Sequence, residues 1–354
     1  MDEVYRMRKK IIGVMIFLII FSTFSFLFWR EIDLPVNPDS KSKIIFSIKK
    51  GEGTRDIANN LEKAGLIRFA PLLRLYSATI GVAGSMKAGD YELSQSLSMA
   101  DIVAKIVAGD VIKDQITIIE GWNVRDIAAY FEQNQIAKTE DLFKMVGFPA
   151  IDYSSAPGLP LPKDFSSEVS ILNDKPKNVG LEGYLFPDTY EIKRRESVED
   201  IIKRILANTD QKISLGMRSE IYRQKKTVFD IITAASLIEK EVRTLEDKKI
   251  VSGIMLKRLK QGMPLQIDAT ISYITGKKTS RISLDELAID SPYNTYKYKG
   301  LPIAPISNPG LDSIVAAVYP QDSDYWFYLS SPDGRTIFSK TLAEHNIARE
   351  KYLK

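Results

Sequence analysis

The chain has 354 residues, with 49 Lys and Arg against 45 Asp and Glu for a net charge of +4, a length that predicts roughly two to three domains with ample buried core. No dense basic run interleaved with aromatics occurs beyond the N-terminus, so nucleic acid is not an expected partner. Cysteine is absent and His345 is the only histidine, which excludes disulfides, zinc-thiolate sites, thiol nucleophiles and a multi-His metal centre; a Ser-His-Asp arrangement would have to run through His345, with no Gly-x-Ser-x-Gly elbow anywhere.

Residues 1–10 precede an uninterrupted, charge-free apolar run, Ile11 to Trp29, about long enough to cross a bilayer as a helix. It predicts a membrane span rather than a cleaved signal, because Phe26-Leu-Phe-Trp29-Arg30 is bulky where a cleavage site needs small residues. Arg6, Arg8, Lys9 and Lys10 lie before the span, and Glu31 and Asp33 after it. The positive-inside rule therefore leaves the N-terminus cytoplasmic and the bulk of the chain outside, a compartment that in a bacterium holds the cell wall. Residues 30–43, with Pro35 and Pro38, read as a polar tether.

An internal repeat follows. Phe46-Ser-Ile-Lys-Lys-Gly51-Glu-Gly-Thr54-Arg55-Asp56-Ile57-Ala58 returns as Ile116-Thr-Ile-Ile-Glu-Gly121-Trp-Asn-Val-Arg125-Asp126-Ile127-Ala128, in one register with an offset of 70 residues. Each copy predicts an alternating strand, a glycine turn and a helix with Ile57/Leu61 or Ile127/Phe131 on one face. Such units look like LysM modules, which bind N-acetylglucosamine polymers, and they serve equally as plain packing units. We place a LysM-like module at 44–112 and a mixed α+β domain at 113–354 that contains the second copy at 114–136. Between the copies, Met86–Leu93 reads as a strand and Met99–Gly109 as a Gly-ended helix. Residues 147–178, rich in Pro, Ser, Asp and Gly, read as a loop or lid. Glu182-Gly-Tyr-Leu-Phe-Pro-Asp188-Thr-Tyr190 sets aromatics beside two carboxylates, which suits a sugar ring or a core edge.

The segment Thr233-Ala-Ala-Ser-Leu-Ile-Glu239-Lys-Glu241-Val242 puts two carboxylates into one of the most apolar helical stretches. Its predicted polar stripe is narrow: Thr233, Ser236, Lys240 and Arg243. Glu239 lies off it, beside Ile232, Ala235 and Val242. A carboxyl group held away from water keeps its proton to higher pH, as a general acid must; the alternative is that each Glu pairs with a neighbouring cation or reaches solvent. Thr244-Leu-Glu-Asp247 then caps a second helix running to Leu259. Gln266, Asp268 and Thr270 alternate in a stretch that, if extended, presents all three on one side. The Pro- and Gly-dense stretch 291–310 predicts a loop fixed in one conformation, a helix runs from Leu311 to Val318, and a hairpin turns at Pro332-Asp333-Gly334. Thr341 caps a closing helix with His345, read as structural, in its first turn.

Hydrolases with paired carboxylates set them roughly 5 to 9 Å apart across the scissile bond. Glu239 and Glu241 diverge on their helix and do not fit as that pair; a single acid fits a lyase, in which a substrate hydroxyl is the nucleophile. Taken together, Glu182–Tyr190, Ala235–Glu241, Leu265–Asp268, Ser291–Tyr296, Gly300–Pro302 and Pro305–Gly310 resemble the motifs of the endolytic murein transglycosylases, the MltG or YceG-like family, over nearly the whole chain beyond the span. The resemblance implies cleavage of the MurNAc-GlcNAc β-1,4 bond of nascent peptidoglycan with a 1,6-anhydro-MurNAc product, ending strand elongation. It implies Glu239 as catalytic acid and base, Gln266, Asp268, Asn294, Tyr296 and Asn308 lining the cleft, no cofactor or metal, and glycan strands and penicillin-binding wall synthases as partners. Ile267 and Ala269 stand where the family more often has Thr and Pro. The alternatives are a non-catalytic wall-binding anchor that recruits synthases, and a hydrolase that uses Asp188 or Asp268 opposite Glu239.

Overall fold

The computed structural model describes residues 2–194, 196–277 and 282–353 as two compact units, one of residues 1–114 and 191–195, the other of residues 115–190 and 196–354. The fold is mixed α+β, with one apolar N-terminal helix.

In the first unit, α1 (Asp2–Asp33) carries the apolar run and continues past it. Its side chains from Ile11 to Leu27 are largely exposed, Phe17, Ile19 and Phe26 among them, whereas Ile32 is fully buried in the core of the unit. A row of exposed Ile, Leu and Phe finds its favourable solvent in a hydrocarbon layer, which fits a single membrane anchor. The tether is pinned rather than loose: the Arg68 guanidinium donates to the carbonyls of Leu34, Pro35 and Val36 and pairs with Glu31 at 2.8 Å. The strands β1 (Lys43–Ile48) and β2 (Gly89–Ser94) pair antiparallel, Phe46 opposite Tyr91. The helices α2 (Thr54–Lys63), α3 (Ala70–Thr79) and α4 (Met99–Ala108) pack their apolar faces, Ile57, Leu61, Leu73, Ile102 and Ile106, into one core. Ser98 starts α4 with a reciprocal capping box to Asp101, and Gly109, in the left-handed region, ends it.

The strands β3 (Lys113–Thr117) and β4 (Thr189–Lys193) pair with each other, and the chain passes between the units within them. The second unit adds α5 (Val124–Gln133), α6 (Thr139–Val146), α7 (Val198–Lys212), α8 (Leu215–Arg223), α9 (Val228–Glu241), α10 (Leu245–Lys260), α11 (Asp268–Thr275), α12 (Leu284–Leu287), α13 (Leu311–Val318), the antiparallel hairpin β5 (Phe327–Ser330) and β6 (Thr336–Ser339), and α14 (Leu342–Tyr352). Residues 147–178 hold no regular element beyond a short 3-10 turn at Ser170–Leu172.

The helix α9 begins at Thr227, whose hydroxyl accepts from the Asp230 N–H while Asp230 returns a bond to the Thr227 N–H, a cap that contributes about 1 kcal/mol. It packs on α10 and α13. The expected polar stripe is exposed only at its C-terminal half, Lys240 and Arg243. Thr233 and Ser236 are buried; the Thr233 hydroxyl donates back to the Phe229 carbonyl, and Ser236 binds the segment 306–307. The extended reading of 266–270 is also corrected. Asp268 opens α11, so Asp268 and Thr270 follow helical spacing, and the Thr270 hydroxyl is buried against the Ile267 carbonyl. His345 stacks on Phe327 at 5.4 Å in the closing helix.

Candidate active site

Glu239 sits in the last turn of α9, its side chain only 8% exposed. Apolar neighbours do not hold it alone: three donors do. The Ser313 hydroxyl donates to Oε2 at 2.5 Å, the Gly310 N–H at 3.0 Å, and the Lys248 ammonium, itself 4% exposed, at 3.2 Å. Gly310 is the N-cap of α13, so Oε2 lies at the positive end of that helix. Oε1 has only the Lys248 contact, at 3.4 Å. One carboxylate oxygen is therefore fixed and the other is the freer to meet a substrate atom.

The loop that supplies Gly310 is fixed from both sides. The Ile306 N–H donates to the Ser236 hydroxyl at 3.1 Å, and the Ser307 hydroxyl donates to the Ser236 carbonyl at 3.0 Å. The turn of the second repeat copy is stitched to the same loop: the Asn308 N–H donates to the Trp122 carbonyl at 2.7 Å and the Gly121 N–H to the Asn308 carbonyl at 2.9 Å. Proline and glycine density alone does not fix such a loop; these backbone pairings do.

The residues expected to line the cleft separate into two groups. Asn294 and Asn308 are fully buried. The Asn294 amide donates to the Leu287 and Ile289 carbonyls and its oxygen accepts from the Tyr296 N–H. The Asn308 amide donates to the Trp122 carbonyl and to Glu182 Oε1, and its oxygen accepts from the Leu185 N–H at 2.8 Å. Both hold loops in shape. Gln266, with φ +55°, is set by its N–H to the Thr295 carbonyl, and the Tyr296 hydroxyl donates to Asp268. Asp268 and Tyr296 are thus brought together, on the side of α9 where Glu241 lies.

Two further carboxylates share the surroundings of α9. Glu241 turns away from Glu239, as the spacing predicts, toward the Tyr328 hydroxyl, Arg258 and Asp268; burial pushes its carboxyl up to about 7. Glu182, 5% exposed, accepts from the Val124 N–H, the Tyr273 hydroxyl and the Asn308 amide, and burial pushes it up to about 7 as well. The Glu182–Tyr190 stretch is a core edge: Tyr184, Phe186 and Tyr190 are buried, and Asp188 is tied to Lys212 at 3.1 Å.

Glu120 was not anticipated. It lies in the turn of the second copy, three residues beyond β3 and just before Gly121, on an exposed side chain whose carboxylate lies against the Cα of Gly310: a methyl group there would stand 2.1 Å from Glu120 Oε1. Its carboxyl is held above the usual range by partial desolvation first, then by Glu239 and Asp312, with Lys248 acting in the opposite direction. The only trace in the sequence is an acid at a position where the first copy has Lys50.

The YceG-like family matches residues 46–351. The chain is 35% identical over 334 residues to an endolytic murein transglycosylase of Bacillus subtilis, covering 93% of this chain and 90% of that protein. It is 31% identical over 355 residues to an endolytic murein transglycosylase of Streptococcus pneumoniae, covering 96% of this chain but 64% of that longer protein. The crystal structure of a yceG-like protein from Listeria monocytogenes superposes with a TM-score of 0.56 at 35% identity, over 87% of this chain and all of that one. This chain belongs to the YceG-like family.

Proposed function

We propose that the chain is a membrane-anchored, endolytic peptidoglycan lytic transglycosylase that cuts the MurNAc-GlcNAc β-1,4 bond of nascent glycan strands, leaves 1,6-anhydro-MurNAc ends and so terminates strand elongation. The observation that carries this reading is the anchoring of Glu239: Oε2 is saturated by Ser313, Gly310 and Lys248 while Oε1 is left for the substrate. A carboxyl group fixed in this way is preorganised to give a proton to the glycosidic oxygen. As the C1–O4 bond breaks, the C6 hydroxyl of the same sugar closes on C1 and returns its proton to Glu239, so no water and no second nucleophile enters. Gln266, Asp268 and Tyr296 are the side chains assigned to sugar contact, and Asn294 and Asn308 the frame. The basic residues of α1 that precede its apolar run orient the N-terminus to the cytoplasm and the two units toward the wall, where glycan strands and the synthases that extend them are the partners. Sugar binding by the strand–glycine–helix copy at 46–58 belongs to the same reading.

Mass spectrometry of purified glycan strands after incubation with the full chain in detergent tests it. New anhydro ends are the expected outcome. New reducing ends would make the enzyme a hydrolase, and binding without new ends of either kind would make it a non-catalytic anchor.

A further inference from the structure

A glycine usually marks a backbone that other residues cannot adopt, but Gly310 is different: its φ of −70° is open to any residue. What excludes a side chain there is the Glu120 carboxylate, since an added methyl group would meet Oε1 at 2.1 Å, Cδ at 2.3 Å and Oε2 at 2.9 Å. The same Gly310 donates its N–H to Glu239 Oε2 at 3.0 Å. A single residue thus has one carboxylate laid over its Cα and another bonded to its nitrogen. The neighbouring Gly121 repeats the convergence from the other side, with the site of its absent Cβ 3.6 Å from Glu239 Cγ.

The charges around this pair do not balance as ions. Glu239 on α9, Glu120 in the second-copy turn and Asp312 on α13 are acidic. The buried Lys248 ammonium on α10 bonds Glu239 alone. Lys240 directs its ammonium to the Gly121 carbonyl at 3.2 Å. Among the described residues Glu120 has no hydrogen-bond or ion-pair partner. Lys248 is engaged by Glu239, and the exposed Glu120 carboxylate is left open to a ligand.

We propose that Glu120 is the second carboxylate of the catalytic centre, exposed beside Glu239 across Gly310 and facing the sugar at the cleavage site. This rests on the transglycosylase reading above and deepens it. The Glu239 proton goes to the O4 leaving oxygen as C1–O4 breaks. The C6 oxygen then bonds C1, and its proton returns to Glu239. Nothing is oxidised or reduced, and no proton is gained or lost over a turnover. While the proton is on the leaving group, both carboxylates are charged and face the positive charge that develops at C1, the moment at which a second anion is most useful.

The test is steady-state turnover by the full chain in detergent, on purified glycan strands, for the unaltered protein, Glu120→Gln and Glu120→Asp, with the unfolding transition of each recorded. Glu120→Gln should lower kcat tenfold or more with KM within about twofold and an unchanged unfolding transition, and Glu120→Asp should recover most of the loss. Gly310→Ala, which displaces Glu120 without straining its own backbone, should lower kcat in the same way. A kcat unchanged in Glu120→Gln, or one that falls only in proportion to the loss of folded protein, overturns the proposal while leaving Glu239 as the acid. Absence of any product from the unaltered chain removes the transglycosylase reading, and this inference with it.

Discussion

Gly51 and Gly121 occupy the same place in two copies of one strand–turn–helix unit, with φ of +87° and +78°. Their surroundings differ. A side chain at Gly51 would meet nothing within 4 Å, while one at Gly121 would lie 3.6 Å from Glu239 Cγ and 3.7 Å from the Lys240 ammonium. The helix after the first turn, α2, starts at Gly53 with no side-chain cap. The helix after the second, α5, starts at Asn123 with a full capping box, and the buried Glu182 accepts from the Val124 N–H as well. Just before the glycine stand Lys50 in the first copy and Glu120 in the second, both exposed. The shared backbone is a packing unit with a helix face buried in a core. Only the second copy's turn is hydrogen-bonded to the Asn308 loop, and under the proposed mechanism its part in the chemistry depends on what the turn meets rather than on the turn itself.

Valine substitutions at the two glycines break this comparison most sharply. Each forces a β-branched residue into the left-handed region and should cost about 1–2 kcal/mol of folding stability, read by denaturant unfolding. Gly121→Val should in addition abolish turnover by pushing on Glu239, whereas Gly51→Val should leave kcat within about twofold. Equal loss of kcat in both would mean that the turn contributes only stability.

Glu182 ties the second copy to its unit and should make stability depend on pH. Its folded carboxyl titrates at about 7, above the ordinary 4.5, so its contribution is fully present below pH 4.5 and is lost as pH rises through about 7. The unfolding free energy of the protein should fall over that window by on the order of 3 kcal/mol from this group, and the fall should be flattened in Glu182→Gln. Glu241 adds a change of the same sign. Because it faces Tyr328 and Arg258 rather than Glu239, Glu241→Gln should lower kcat far less than Glu239→Gln, by less than about tenfold in the same glycan assay. The smallest effect belongs to the first copy: Lys50→Ala should change stability by no more than about 0.5 kcal/mol and leave turnover unaltered.

Much of this was legible in the sequence because it is local. The repeat register, the caps at Thr244 and Thr341, the Gly-ended α4, the hairpin at 332–334 and the divergence of Glu239 from Glu241 follow from periodicity and short-range hydrogen bonding. What the sequence hid depends on residues far apart in the chain. Thr233 and Ser236 read as part of a polar stripe with Lys240 and Arg243 because nothing nearby announces that residues 306–307 will cover them. Asn294 and Asn308 read as sugar ligands because an amide that satisfies buried backbone has the same identity as one that meets a hydroxyl. The stretch 266–270 alternates like a strand, yet Asp268 can open a helix once Gln266 takes a positive φ. Lys248 and Glu120 escaped attention for the same reason: one lies on the next helix and the other more than a hundred residues upstream, and only folding brings both to Glu239.

The most direct measurement is turnover by Glu239→Gln on purified glycan strands, with its unfolding transition recorded beside that of the unaltered chain. The anchored carboxylate predicts a variant that folds, inserts and binds strands but forms new ends at a rate lower by a factor on the order of 10²–10⁴, the usual contribution of a general acid. Undiminished product from a folded Glu239→Gln protein would contradict the assignment of the proton to this residue.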